Sequence, residues 1–542
     1  MTDKTSTQTI VSTGGFDSSE NHLLLDTNNP GMATDLLNYE VGLNGGYRRI
    51  DGFEYFSNEY RQVDAINGEG RILGLALYKT NEGVEQLIAA RKQLGSNTYK
   101  FYKFVVGSGW QAMTTGFTLN TVDISKTILK IRNAQFNFGN KNYIVFVDGV
   151  NFATLYDGTN FYQLKSTNAG GIGAPGGNQL IDSPSVVTVF KSHVFLGGDF
   201  DYKAVVSHSA PLDPFTWTSA AGGGQLPSGA EVVAIKPFRD TLYVFGKNQI
   251  KSITVNATNF VLNDITSNIG CLATDSVIEM SGDLLFLAPD GIRPISATDK
   301  LGDVNIASIS KPIQFYVSQL LKAYDMNYLN TVVIRGKSQF RYIINEPTGT
   351  KTGVGIIGGL RSNDNATGYE FSRLNGITAS CTESGYYFGK ETILHGDYEG
   401  YVFKQESGNS FNGENISSIY RTPFLTMGDP KIRKLMRTLS VFYRLEGSLG
   451  LNIKPTFDWN DPDIINPLTS GQEFQYQVVH YGDEGVSYND SHVYGRFIRS
   501  PQFQTDMDGS FFSIQFAFTS SDQNPPHSIQ GFTIEFTPQG RR

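Results

Sequence analysis

NYIVFVDG, residues 142–149, runs through five consecutive apolar residues and stops at Asp-Gly. A strand with one face in water alternates apolar and polar residues, because successive side chains point to opposite faces. This stretch does not alternate, so both of its faces must be covered. DLLFLAPDG (283–291) repeats the pattern. Related segments are QLIAAR at Leu87, HVFLGG at Val194, TLYVFGKN at Leu242, FRYIIN at Phe340 and GYYFGK at Tyr386. Most end at Gly, Asn or Asp-Gly, and with Tyr143 and Leu284 they recur every 42–56 residues. That period suits propeller blades, each of which packs against a neighbour on either face. The expected fold is therefore mainly β, with a β-propeller of six or seven blades over residues 61–430.

The pattern changes after residue 430. Leu439, Val441, Tyr443 and Leu445 alternate with polar residues, as do Leu451, Ile453 and Phe457. Phe512, Ile514, Phe516 and Phe518, and then Phe532, Ile534 and Phe536, do the same. Strict alternation predicts a half-buried antiparallel sheet or sandwich, a C-terminal platform over 431–542. One helix is expected near 311–323, with Ile313, Tyr316, Val317, Leu320 and Leu321 on one face, Ser310 as cap and Pro312 in the first turn. Residues 1–30 read as an N-terminal arm, its first 20 residues flexible and polar. Residues 31–60 read as a segment docking on the C-terminal platform, with one or two helical turns around Leu36 and Leu37.

Composition excludes several classes. The net charge is -8, so overall affinity for nucleic acid or anionic membranes is not expected. Charged residues are 18% of the chain, and 58 glycines and 12% aromatics suit sheets joined by tight turns. Two cysteines, Cys271 and Cys381, cannot make a disulfide framework or a thiolate zinc site. No apolar run approaches the ~20 residues of a membrane-spanning helix, and no secretory leader is visible.

Motifs for catalysis are scarce. The histidines, His22, His193, His208, His395, His480, His492 and His527, show no metal-ligand spacing. GGIGAPGG (170–177) lacks the lysine that completes a phosphate loop and reads as a plain loop. The densest acidic pairs, DWNDPD (458–463) and HGDYEG (395–400), lie in turn-like sequence, where Asp and Asn serve the backbone. No catalytic, cofactor-binding or metal-binding residue is assigned, and no cofactor is expected. Basic residues cluster at Tyr47-Arg48-Arg49 and at Lys431, Arg433, Lys434 and Arg437. These seven are the candidate assembly interface. Gly45 and Gly46 permit a tight reversal before them, and the arginines are expected to pair with carboxylates or carbonyls of another domain or another copy. Charge reversal at Arg48 and Arg49 is then expected to impair assembly while sparing the fold of the monomer.

The stretch NNPGMATDLLNYEVGLNGGYRRIDGFE resembles the N-terminal signature of tail nozzle, or tail tubular, proteins of short-tailed bacteriophages. The matching residues are Gly14, Gly15, Ala33, Leu36 or Leu37, Asn38, Gly46, Arg48, Arg49 and Gly52. HSAPLDPFTW (208–217), the run 394–425 followed by KIRKLMR, and the terminal IQGFTIEFTPQGRR resemble later parts of the same family, in the same order. The resemblance implies a non-enzymatic virion protein, located in the tail and assembled in the host cytoplasm. It implies a homo-oligomeric ring, commonly sixfold, of propeller subunits. Its partners would be an adaptor on the portal side, fibres or spikes, and genomic DNA in passage. The chain lacks obvious long insertions at the distal tip. An acidic lumen is the expectation for such a tube, since it would repel the DNA backbone. The alternatives are a receptor- or carbohydrate-binding propeller, using aromatic loops such as GYYFGK and NFYQL, and more distantly a glycosidase with paired carboxylates.

Overall fold

The computed structural model describes residues 5–539 except 44, 58–63, 124–125, 165–181, 257–258, 297–307, 347–352, 364–365, 461–471, 477–497, 500–501 and 505–510. The chain is mainly β. Seven antiparallel strand sets follow one another. The first four have four strands each and run from Glu69–Lys79 to Gly109–Ala112, Arg132–Phe138 to Phe161–Leu164, Val186–Phe190 to Gly224–Pro227, and Ala234–Phe238 to Asn259–Thr266. The fifth has three strands, Ile278–Met280, Asp283–Ala288 and Gly291–Pro294. The sixth runs from Leu329–Ile334 to Ala366–Asn375. The seventh comprises Cys381–Tyr387, Lys390–Gly396 and Val402–Gln405, and takes its fourth strand, Phe53–Tyr55, from far earlier in the chain.

The first strands of sets one to four lie side by side in chain order. Those of sets five to seven do likewise, and the seventh lies against the first. Sets four and five share a core that includes Phe245, Ile250, Leu284 and Phe286. Consecutive residues therefore serve different cores. Ile144 packs between the first and second sets, and Val145 between the second and third. Six of the seven repeated segments are second strands of their sets. The exception is Tyr386, which lies in the first strand of the seventh set; the equivalent strand there is Lys390–Gly396.

The C-terminal strands alternate as their sequence predicts, Arg433–Leu445 burying every second residue over most of its length. One sheet orders Tyr39–Val41, Tyr47–Arg49, His527–Gln539, Arg433–Leu445 and Ile498–Arg499. Facing residues of this sheet, such as Leu439 and Val441, share a core with Ile453, Phe516 and Phe518 of a second sheet. That second sheet is continuous with the sixth set. It passes through Asp35–Leu37, Ile416–Arg421, Ile514–Asp522, Leu449–Phe457 and Gln472–Tyr476. The expected boundary at 430/431 is thus bridged by a nine-stranded sheet.

Three local expectations need correction. The N-terminal arm is not free: Ser6–Val11 is an edge strand in register with Gly531–Phe536, and Ile10 is buried. Leu36 and Leu37 are in a strand rather than a helical turn, because Asp35–Leu37 completes hydrogen bonds with Ile419–Arg421. The inserted helix is present as a single 3-10 turn, Lys311–Ile313, followed by Gln314–Ala323. Ser310 does not cap it; its hydroxyl accepts from the Ile292 amide at 2.8 Å instead.

Candidate functional site

The paired glycines explain the reversal before the arginines. Both have positive φ, +86° at Gly45 and +72° at Gly46, and a Cβ on Gly46 would collide with the Ile529 carbonyl. The turn aligns Tyr47 with Ile529 and Arg48 with Ser528 in the C-terminal sheet. Arg48 and Arg49 then leave the strand on opposite faces.

On one face, Arg48 pairs with Glu40 and Asp51 at 2.8 Å and with Glu446 at 2.7 Å. The Lys337 ammonium donates to Glu40 at 2.8 Å, to Asp51 at 3.0 Å and to Glu406. Arg341, fully buried, pairs with Glu40 at 3.2 Å and with Glu406. Three cations and four carboxylates thus join the N-terminal segment, the sixth and seventh sets and the C-terminal sheet. Burial alone would raise the Glu40 and Asp51 carboxyls, but the surrounding cations hold both below the usual carboxylate range. Glu40, Asp51 and Glu406 are close enough together to hold a metal ion, but the Lys337 ammonium already occupies the position a cation would take.

On the other face, Arg49 is fully buried and pairs with Asp522 at 2.6 Å and with the Asn524 carbonyl. The Tyr47 hydroxyl accepts from Gly15 N at 3.0 Å and donates to the Gly31 carbonyl at 2.9 Å. These partners belong to the same chain, which corrects the expectation for charge reversal. A carboxylate at Arg49 would sit buried beside Asp522, so the monomer itself would be destabilised.

The second basic cluster lies elsewhere. Arg433 pairs with Gln539, eleven residues along His527–Gln539 from the partner of Arg48, which is about 35 Å at strand rise. Lys431 and Arg437 are exposed. Lys434 is buried and donates to the carbonyls of Asp429, Ile432 and Phe512. Arg433 lies over the Phe512 ring at 5.0 Å. The seven candidate residues therefore form two groups at opposite ends of one strand.

A cavity of about 490 Å³ is lined by the first strands of all seven sets or by residues flanking them. The sequence reading missed its polar groups. Asp275 pairs with Lys130 at 2.9 Å and Arg132 at 2.7 Å. These cations outweigh burial and hold Asp275 well below the carboxylate range. Glu383 accepts a 3.4 Å hydrogen bond from the Asn133 amide, and burial outweighs this and the attraction of Lys236 to push it up to about 7. Burial lowers the nearby Lys236. The available signal was one charged residue within an otherwise apolar first strand, as in AIKPF at Lys236.

The acidic turns do backbone work. Asp397 Oδ1 accepts from the amides of Glu399, Gly400 and Tyr401, and Asp458 Oδ1 accepts from Phe512 and Ser513. Tyr386 and Phe388 of GYYFGK are exposed and line neither large cavity. GGIGAPGG, residues 461–463 of DWNDPD, His480 and His492 lie outside the described residues. Among the described residues no helix is long and apolar enough to cross a membrane.

No protein-family model and no curated protein matches the sequence. Among solved structures, the chain is similar to the extracellular domain of a putative one-component system from B. thetaiotaomicron, also described as a hybrid two-component system. Identity is 12% and the TM-score 0.36, over 78% of this chain and 48% of that one. The chain thus spans about half the length of these structures, and a likeness this low carries no assignment.

Proposed function

We propose that the chain is a structural subunit of a bacteriophage tail nozzle, built on a seven-bladed propeller and a C-terminal sandwich. The succession of neighbouring first strands, with sets four and five joined through a shared core and the seventh set against the first, supports the blade count. So does closure of the last set by Phe53–Tyr55, which ties the beginning of the ring to its end.

The observation that carries the functional reading is where the resembling N-terminal residues lie. Gly15 holds Tyr47, and Ala33 bridges to Phe16. The Asn38 amide donates to the Asn375 and Ser417 carbonyls at 2.9 and 2.8 Å, and the Gly52 amide to the Gly408 carbonyl. With Arg48 and Arg49, the signature forms one joint that locks both chain ends to the ring. A tube wall under load needs such a one-piece subunit, and copies in closed symmetry bury their remaining edges against each other. The proposed assembly is a homo-oligomeric ring, sixfold, between an adaptor and fibres or spikes, with an acidic lumen through which DNA passes without adhering.

Negative-stain microscopy and sedimentation of the purified chain test this. Closed rings are expected. A chain that stays monomeric at every concentration, with or without purified tails lacking it, overturns the reading.

A further inference from the structure

A second cavity, of about 650 Å³, opens where the sixth and seventh sets meet the Phe53–Tyr55 strand and the Phe411–Asn415 loop. Its walls combine ring faces with an orphaned hydrogen-bonding group. Tyr55 and Tyr401 are half-buried, their rings 5.1 Å apart, and Tyr55 stacks on Phe403 at 4.9 Å. Asn345 is 3% exposed, and its backbone carbonyl accepts from the Tyr398 hydroxyl at 2.6 Å, beside the cavity its side chain lines. His395 is 1% exposed, and its Nε2 is unpaired among the described residues.

The His395 tautomer follows from its neighbours. Arg341 donates to the Gln405 carbonyl oxygen at 3.4 Å, which turns the Gln405 NH₂ toward His395 Nδ1 at 3.3 Å. Nδ1 therefore accepts, and the proton resides on Nε2. Burial keeps the ring neutral, its pKa lowered to about 3. The cavity thus offers an unpaired, buried N–H donor that is costly to leave unmatched, with the buried Asn345 amide in the same wall.

Charge narrows the ligand. Among the described residues, Glu346, Asp397, Glu399 and Glu414 line the cavity, and no lysine or arginine does. Phosphates, nucleotides and acidic sugars are disfavoured. An organic cation would suit the acids and rings, but an ammonium cannot accept from His395 Nε2–H. A hydroxyl both donates and accepts. We infer that this cavity is a binding site for a neutral carbohydrate, with Tyr55 and Tyr401 as the apolar platform and Asn345, His395, Asn412 and Glu414 meeting its hydroxyls. The volume fits one or two sugar rings. The inference does not depend on the tail reading, since a ring-forming or a monomeric chain could carry the site.

The test is saturation-transfer NMR and calorimetry on the full chain with lactose, maltose, cellobiose and diacetylchitobiose. Saturable binding of at least one disaccharide is expected. Tyr401→Ala and Asn412→Ala should each weaken it by about tenfold or more while circular dichroism and melting show the fold retained; Asn412 is exposed, so at least that variant should fold. Binding by none of the four overturns the inference. So does undiminished binding by both variants, or saturation by spermidine that excludes the sugars.

Discussion

Val194-Phe195-Leu196 and Leu439-Ser440-Val441 both sit inside sheets, yet they bury their side chains by different rules. Phe195 and Leu196 are both fully buried, Phe195 against the fourth strand set and Leu196 against the second. In the C-terminal sheet Leu439 and Val441 enter the core while Ser440 is partly exposed. A strand in the ring is clamped from both sides, whereas a platform strand is held from one. The first arrangement gives stiffness. The second leaves a face for other contacts, and the charged joint around Arg48 couples the two.

Removing that coupling should have the largest effect. Arg341→Ala leaves Glu40, 1% exposed, with one fewer counter-charge at its side chain and Glu406 with Lys337 alone. Breaking a buried pair in this way costs about 3–5 kcal/mol. Denaturant titration followed by fluorescence and by circular dichroism should show lower stability. The two probes should also separate, because ring and platform no longer unfold as one unit. Coincident transitions would mean that the nine-stranded sheet, rather than the joint, couples them.

The two burial rules can then be compared residue by residue. Phe195→Ala should cost about 3–5 kcal/mol and its neighbour Leu196→Ala about 2–5 kcal/mol. Leu439→Ala should cost about 2–5 kcal/mol, but its neighbour Ser440→Ala should stay within about 0.5 kcal/mol. A cheap Leu196→Ala would show that one face of that ring strand is not packed.

How much of this the sequence disclosed follows from the same distinction. Unbroken apolar runs such as YIVFV and alternating runs such as Leu439–Leu445 are local signals, so the ring strands and platform strands were legible. The Phe53–Tyr55 strand was not, since three residues carry no period and their partner is some 350 positions away. The arginine pair was visible as a feature, but its partners Asp522 and Glu446 come from the distant end of the chain. The second cavity draws its walls from separate segments, none of which has a motif of its own. HGDYEG stood out for its acids, while His395, its orphaned member, looked ordinary.

Acidification sets the platform against the ring cavity. His527 in the platform and His395 near the ring's closure both have pKa values lowered to about 3 by burial. Between pH 3 and 6.5 the unfolded chain binds protons that the native chain refuses. Their stabilisation is complete above 6.5 and is lost as pH falls, by up to about 1.4 kcal/mol per pH unit for each group. Glu383 acts in the opposite sense. Its native pKa, raised to about 7, lies above the unfolded value, so its contribution is lost as pH rises from 4.5 to 7. Glu383→Gln should raise the melting temperature at pH 8 and steepen the loss of stability between pH 6.5 and 5. An unchanged pH profile would show that Glu383 is solvated in the cavity.

The smallest effect is expected where neither rule applies. Lys191 and Asp240 lie 2.6 Å apart across two turns of neighbouring strand sets, but the side chains are 46% and 91% exposed. Water and salt screen such a pair, and holding two mobile side chains together costs entropy that offsets most of the attraction. The double-mutant cycle of Lys191→Ala and Asp240→Ala should therefore give a coupling close to zero, vanishing in high salt. The same cycle on Arg341 and Glu406 should give several times more and keep most of it in salt, because those charges are shielded from the solvent. If the two cycles agree, burial is not what makes the joint strong, and the contrast between a clamped ring and a one-sided platform would have to rest on packing alone.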